Sequence, residues 1–266
     1  MTQKGERTKE FMGIFKARAG IVSQKKIGEN IFDLLIHFPQ GAKSALPGQF
    51  VSLYCNDATR LLPRPISICG IDREAGNLRL IYRVAGKGTD EFSAMKAGDS
   101  LEVMGPLGNG FPLKDKPAIL IGGGIGIPPM LELARQLPGE KNVVLGYRDR
   151  IFLLEDFRDY APVHVATENG SIGAKGTVLD AIRQYGIQGQ VIYACGPMPM
   201  LKAVSAYAKK EGLEAWISLE ERMACGIGAC LGCIVKTGKK DPHTNVNNSR
   251  ICKDGPVFDA REVVFS

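Results

Sequence analysis

The stretch AILIGGGIGIPPMLELARQL, residues 118–137, decides the architecture. An apolar strand, AILIG over 118–122, runs into a glycine loop, and Pro128 and Pro129 then open a helix over 128–137. Proline suits the first helical turn, where a backbone N–H would find no partner. A glycine loop placed between a strand and a helix is the setting in which a dinucleotide pyrophosphate can approach the backbone. Gly122, Gly123, Gly124 and Gly126 are the candidates for that contact, although their spacing is not the full GxGxxG, and a purely structural turn is the alternative.

Downstream, strand-like and helical segments alternate. Strands are expected at 142–147, 163–167, 190–196 and 214–220, and helices at 152–160, 177–185 and 198–212. Such alternation implies a Rossmann-like parallel sheet with crossover helices. A second loop, CGPMPM at 195–200, follows a later strand and repeats the strand, loop and helix order. Glu168, after the third strand, can accept hydrogen bonds from ribose hydroxyls and would repel a 2′-phosphate, which favours NADH over NADPH. Arg148 and Arg150 end an earlier strand and read as solvated charges.

Upstream, from Ile14 to about Pro112, short β-rich runs are separated by turn residues: IVSQ, IFDLLIHF, QFVSLYC, RPISICGI, NLRLIYRVAG and SLEVMG. That rhythm reads as an antiparallel barrel. REAGN, residues 73–77, is expected to be a hairpin loop, and TDEFSAMK, 89–96, a short helix with Thr89 as its N-cap. In RPISI, Arg64 suits a bidentate clamp on a pyrophosphate and Ser67 a hydrogen bond to a flavin or phosphate oxygen. Gly86 and Gly88 would let backbone amides come close to an anion.

Seven cysteines stand at 55, 69, 195, 225, 230, 233 and 252. Cys55 and Cys69 lie in strand-like runs and read as packed thiols. Cys225, Cys230, Cys233 and Cys252 follow the C-x4-C-x2-C…C arrangement of a plant-type 2Fe-2S cluster. Small residues between them, Gly226, Gly228, Ala229 and Gly232, leave room for backbone N–H groups to reach sulfur. The same four thiolates would also satisfy a structural zinc ion, although such sites usually come as two separated CxxC knuckles.

Composition bounds the remaining possibilities. The chain has 266 residues, 44% of them hydrophobic, enough for more than one core. Its charge of +6 comes from 34 basic and 28 acidic residues that are scattered along the chain, so no nucleic-acid surface is indicated. The N-terminal MTQKGERTKE is polar, is expected to be frayed, and lacks an apolar leader. No apolar run approaches the roughly 18 residues of a membrane helix. A cytoplasmic protein without a membrane partner is expected.

At RPISI and GKGT the chain resembles the ferredoxin reductase-type flavoproteins, whose barrel binds FAD through an Arg-x-x-Ser element and a following Gly-Thr helix start. The resemblance implies that Arg64, Pro65, Ile66 and Ser67, with Ile81, Tyr82, Arg83, Gly88 and Thr89, line an FAD site; this chain carries Ile66 where many members carry tyrosine. It implies too that Cys195, Gly196 and Pro197 lie beside the nicotinamide, where hydride is transferred. Three modules are thus expected: an FAD-binding β-barrel over 12–113, an NAD-binding α/β domain over 114–219 and a 2Fe-2S domain over 220–266. They make chemical sense together, because NADH gives up two electrons as a hydride, a 2Fe-2S cluster takes one, and a flavin exchanges both ways.

From residue 12 to 266, RPISI, LIYRVAGKGT, MGPLGNGF, GGGIGIPPML, YACGPMPML, LEERMACGIGACLGC and ICKDGPVFDA occur in the order that resembles the electron-transfer subunits of class 1B dihydroorotate dehydrogenases. The resemblance implies a heterotetramer, two plus two, in which NADH, FAD and the cluster connect to FMN in a catalytic barrel subunit; in the family's physiological direction dihydroorotate is oxidised to orotate and NAD is reduced. A (β/α)8 barrel takes about 250 residues of its own, and none remain here for one. The alternative is the reductase subunit of an NADH-dependent ferredoxin or sulfur oxidoreductase. Glu220 and Glu221 precede the cluster loop and read by sequence as solvated or salt-bridged carboxylates, and Cys195 could be one more buried thiol. The functional alternative makes Glu221 a candidate, with Cys195, for the chemistry itself, as a carboxylate that tunes the flavin or relays a proton.

Overall fold

A computed structural model of the chain describes residues 13–148, 150–241 and 245–265. The N-terminal decapeptide expected to be frayed, residue 12 as the start of the barrel, and residues 242–244 of the polar loop lie outside the described residues.

Six antiparallel strands close a barrel: β1 (Phe15–Gly28), β2 (Ile31–His37), β3 (Phe50–Tyr54), β4 (Arg64–Asp72), β5 (Asn77–Arg83) and β6 (Ser100–Leu107), in the order β1-β2-β5-β4-β3-β6. Period-two patterning decides which side chains fill it. Leu34 and Ile36 of β2, Val51 and Leu53 of β3, and Leu78, Leu80 and Tyr82 of β5 form one buried cluster. The first strand is far longer than IVSQ. Register shifts between Ile21 and Ser23 and between Lys26 and Gly28 bend it, so that one strand pairs with both β2 and β6. The 73–76 turn joins β4 to β5, with Asp72 Oδ1 accepting from the Glu74 and Ala75 amides at 3.1 and 2.9 Å.

Two helices interrupt the barrel. A single turn, α1 (Pro39–Ser44), was not legible, since PQGAKS shows no apolar spacing. The second, α2 (Lys87–Ser93), begins two residues before the expected helix. Its N-cap is Gly86, which corrects the assignment of Thr89 to that position. Thr89 is the third helical residue, and its Oγ1 accepts from the Ala85 and Gly86 amides at 2.9 and 3.2 Å, closing the turn from inside.

Six parallel strands follow: β7 (Ala118–Gly123), β8 (Lys141–Tyr147), β9 (Val163–Thr167), β10 (Ala174–Lys175), β11 (Val191–Cys195) and β12 (Glu214–Ser218). The crossover helices are α3 (Ile127–Gln136), α4 (Leu154–Arg158), α5 (Val178–Gln184) and α6 (Met198–Glu211). The order β10-β9-β8-β7-β11-β12 places the reversal of winding between β7 and β11. In open α/β sheets that is where ligands bind, beyond the carboxyl ends of the strands.

Among the described residues, the last segment forms a hairpin of β13 (Ile234–Lys236) and β14 (Asn248–Arg250), a single turn α7 (Ile251–Asp254), and β15 (Val257–Asp259). The final strand adds antiparallel to β12 and makes the sheet seven-stranded, so this segment is stitched into its neighbour.

Barrel and sheet are joined through α3. Glu132, 1% exposed, accepts from the Ile71 amide at 3.0 Å and from Arg135 Nη2 at 2.8 Å, while Gln136 donates to the same carboxylate. A buried carboxylate is tolerable only with such partners. Arg135 also donates to the Ile71 carbonyl, so both backbone groups of one β4 residue are held by one helix.

Candidate functional site

The first part of the site lies where β4 begins. Arg60 fastens the β3–β4 loop to α2: its Nη1 donates to the Lys87 carbonyl at 2.6 Å and meets Glu91 at 2.8 Å. Glu91 Oε1 also accepts from the Asn56 amide at 2.6 Å. These contacts, which the sequence did not disclose, set Arg64 against the helix start. A Cβ at Gly88 would stand 2.5 Å from Arg64 Cζ and Nη2, so a larger residue there would displace the guanidinium from this position. Arg64 donates to the Leu62 carbonyl and, among the described residues, forms no ion pair. An arginine placed over a bare backbone without a carboxylate partner is suited to phosphate. Across the gap, Arg83 ends β5 with Nη2 3.9 Å from where a Cβ of Gly124 would be.

The other residues of the barrel set are placed unequally. Ile66 packs against the barrel core, and the Ser67 hydroxyl has no partner among the described residues. Ile81 belongs to the apolar cluster shared with β7 and α3. Pro65 is half-buried beside Arg64. The expectation for Tyr82 needs correction as regards its side chain. Tyr82 is 1% exposed inside the barrel, stacked on Phe32 with centroids 5.7 Å apart, with its hydroxyl donating to Gln24 Oε1 at 3.0 Å. Alternation explains the outcome: Ile81 and Arg83 leave the barrel core on the side opposite Tyr82.

The second part is formed by the loops after β7 and β11, which touch at the winding reversal. A Cβ at Gly126 would lie 2.5 Å from Cys195 C and O and from the Gly196 amide nitrogen. One at Gly123 would lie 2.5 Å from Met200 Sδ and 3.2 Å from Pro197 Cδ, and one at Gly196 would lie 3.1 Å from Gly123 Cα. Gly122 faces Ile127 in the same way. The glycines thus serve first to let two backbones meet, and Gly124, with φ of +53°, is the one turned toward Arg83. The sequence offered a ligand contact or a purely structural turn for these positions, and the contacts at Gly122, Gly123 and Gly126 show a structural role.

Cys195 ends β11 and is 9% exposed. Burial pushes its thiol up to about 12, more than contact with the Ser218 hydroxyl draws it down, and the charge of Glu220 adds to the rise. A thiol held that far up carries its proton at neutral pH. Glu220 is the carboxylate whose field reaches Cys195; Glu221 is exposed, and its Oε1 accepts from the Arg222 amide at 2.9 Å. Glu168 pairs loosely with Arg148 at 3.8 Å, both exposed, and Arg150 meets Glu29 at 3.2 Å.

The third part is the thiol loop. Cys225 neighbours Cys230, and Cys252 neighbours Cys233 while sensing the charge of Cys225. Cys233 and Cys252 are each 2% exposed, whereas Cys230 is open to solvent. Backbone amides converge on sulfur: Ile227 and Ala229 donate to Cys225 Sγ at 3.5 and 3.3 Å, Gly228 to Cys252 Sγ at 3.1 Å, Gly232 to Cys230 Sγ at 3.4 Å, and Cys252 to Cys233 Sγ at 3.4 Å. Positive φ at Gly226, Gly228 and Leu231 (+70°, +85° and +58°) turns these amides inward. Burial raises the Cys225 thiol, but the Ile227, Cys230 and Ala229 amides and the Cys230 thiol outweigh it and bring it down to about 6. Burial and the adjoining Cys233 push Cys252 up to about 12, a state that iron would reverse by taking the proton's place. Among the described residues no three ligating groups close on a single-ion position. Two pairs of thiols ringed by amide donors fit a dinuclear iron–sulfur cluster.

Comparison with known proteins agrees with this geometry. Residues 18–111 match the oxidoreductase FAD-binding domain, and residues 220–264 match the iron-sulfur cluster binding domain of dihydroorotate dehydrogenase B. The chain is 42% identical over 262 residues to the dihydroorotate dehydrogenase B (NAD(+)), electron transfer subunit, of Geobacillus thermodenitrificans, covering 95% of this chain and 100% of the relative. It superposes with a TM-score of 0.84, at 32% identity, on the structure of an NADH-dependent reduced ferredoxin-NADP oxidoreductase, covering 93% of this chain and 90% of that one. The cytochrome b5 reductase domain of Ulva prolifera nitrate reductase, at 21% identity and a TM-score of 0.60 over 76% of this chain and 97% of that one, shares the fold. No helix among the described residues is long and apolar enough to cross a membrane. Barrel, winding reversal and paired thiols thus occur together in a chain that belongs to the family of dihydroorotate dehydrogenase B (NAD(+)) electron transfer subunits.

Proposed function

We propose that this chain passes electrons between NADH and the catalytic subunit of a dihydroorotate dehydrogenase, through FAD and a 2Fe-2S cluster, in support of dihydroorotate oxidation to orotate for pyrimidine synthesis. The observation that carries the reading is the thiol loop: four cysteines in two neighbouring pairs, each sulfur met by a backbone amide, packed against the barrel that presents Arg64 over Gly88. When bound, FAD supplies the exchange of a hydride for two single electrons, and the cluster supplies the one-electron relay.

The chain's own residues hold and orient. Arg64 binds the FAD phosphates over Gly88, and Ser67 offers its free hydroxyl to the flavin. Arg83 faces Gly124 of the glycine loop across the gap. Gly124 would admit the nicotinamide nucleotide, and Cys195, Gly196 and Pro197 would line its site; the neutral Cys195 thiol adds no charge there. Cys225, Cys230, Cys233 and Cys252 hold the iron. Residues 12–113, 114–219 and 220–266 are the corresponding working modules. The partner is an FMN-containing catalytic subunit in a two-plus-two cytoplasmic heterotetramer, and NADH is the nucleotide.

Coexpression with that catalytic subunit tests the reading. The purified complex is expected to reduce NAD in the presence of dihydroorotate, and to carry flavin bands with a reddish-brown shoulder. A colourless, zinc-containing protein, or a complete complex without dihydroorotate-dependent NAD reduction, would overturn it. The likeness to the NADH-dependent ferredoxin-NADP oxidoreductase structure favours a second reading, reduction of ferredoxin. Copurification of a ferredoxin-reducing assembly in place of the FMN subunit would establish that one.

A further inference from the structure

Ser52 lies in the middle of β3, in QFVSLYC. Val51 and Leu53 on either side fill the barrel core, so Ser52 points outward, together with Phe50. That outer face is covered. Phe50 and Leu107 pack in one buried cluster with Cys233, Ile251 and Cys252. Ser52 is 0% exposed, and its Oγ is the one buried side-chain polar atom among the described residues that has no hydrogen-bond partner. Buried hydroxyls in folded proteins are normally paired, so an orphan calls for a partner.

The surroundings point to that partner. A side chain at Gly226, the residue after Cys225, would begin 3.0 Å from Ser52 Oγ, 3.5 Å from Leu107 Cδ1 and 3.9 Å from Met104 Cε. The hydroxyl therefore stands against the loop that carries the thiols, with the apolar Leu107 and Met104 side chains at the same position. Every amide that donates to these sulfurs comes from within residues 227–252, so the segment has no hydrogen bond from the barrel to sulfur among the described residues. Ser52 also pairs in register with Pro65, next to Arg64, and so sits between the two cofactor regions.

We propose that Ser52 donates a hydrogen bond from the barrel wall to the iron–sulfur centre, as a positioning residue that sets the centre's reduction potential at its junction with the flavin strand. The proposal rests on the reading of the four thiols given above. Reduction adds negative charge to the sulfurs, so a donor stabilises the reduced form and raises the potential.

An EPR-monitored redox titration of the coexpressed complex tests this. At a fixed ambient potential, Ser52→Ala is expected to lower the reduced-to-oxidised ratio of the cluster about tenfold, which for one electron is a shift of about 59 mV. Ser52→Thr, which keeps the hydroxyl, is expected to stay close to the parent protein, and FAD content and absorbance are expected to be unchanged in both. If alanine weakens the wall, the near-isosteric pair Ser52→Thr and Ser52→Val carries the same comparison. An unaltered cluster potential in Ser52→Ala, equal shifts in the threonine and valine variants, or a change confined to the flavin spectrum would each overturn the proposal while leaving the functional reading intact. A parent complex without a 2Fe-2S signal would remove both.

Discussion

The guanidinium of Arg64 occupies the space where Gly88 lacks a side chain, so close that a Cβ at residue 88 would stand 2.5 Å from Cζ and Nη2. Two substitutions on different elements are therefore expected to have one effect. Arg64→Ala removes a charge-assisted contact of about 1.5–3 kcal/mol, and Gly88→Ala displaces the same group. Each is expected to weaken FAD binding about ten- to hundredfold, measured by flavin absorbance retained on gel filtration and by titration of the apoprotein. Full FAD retention in both would remove Arg64 from the phosphate site.

The contact between the two sheet loops depends on Gly126, where a Cβ would meet backbone atoms of Cys195 and Gly196 at 2.5 Å. Backbone on both sides leaves little room to yield, so Gly126→Ala is expected to cost about 1–3 kcal/mol and to slow flavin reduction by NADH. Gly20→Ala is the control, since a Cβ there meets nothing within 4 Å. Thermal unfolding and stopped-flow flavin bleaching check the pair; equal behaviour would mean the loops are free to part.

Cys252 is 2% exposed and neighbours Cys233. Cys252→Ala is expected to abolish the cluster's absorbance and EPR signal while FAD is retained, because the residues proposed to hold the flavin lie on other elements. Iron and sulfide analysis beside flavin content provides the check, and a cluster that survives the substitution would exclude Cys252 as a ligand.

Burial pushes the thiols of Cys195, to about 12, and of Cys69 upward. An unfolded cysteine ionises near about 8.5. Folding therefore keeps protons that the unfolded chain loses, and the stability these groups contribute is complete below that pH and declines as pH rises toward the folded values. Urea midpoints are expected to fall between pH 8 and 10, and to fall less in Cys69→Ala, whose stability at pH 7 is already reduced by the lost packing. Identical slopes in the two proteins would refute the assignment. The same shift leaves Cys195 without a titration between pH 6 and 9, so it contributes no inflection to the rate of flavin reduction.

Much of this was legible because it is local. Alternating apolar residues marked β2 and β5, and two prolines after four glycines marked the turn into α3. The thiol spacing marked the cluster loop, since ligands crowded into one short segment leave a mark in sequence. What escaped had no periodic signal or depended on distant partners. A single turn such as α1 lacks enough residues to show a spacing, and Thr89 looked like an N-cap because the glycine that takes that position has no side chain to announce it. The roles of Arg60 and Glu91 arise only when the β3–β4 loop meets α2.

By itself the amino-acid order determined the element types, the barrel-then-parallel-sheet sequence and the set of four thiols, because backbone preference and side-chain period act over a few residues. Tertiary structure decided which face each residue serves. It turned Tyr82 into the barrel and Ser52 out of it, brought Gly126 against Cys195, and spliced Val257–Asp259 onto β12. Those outcomes follow from close packing between segments far apart in the chain, where one neighbour's volume or unpaired hydrogen-bonding group fixes what the other can be.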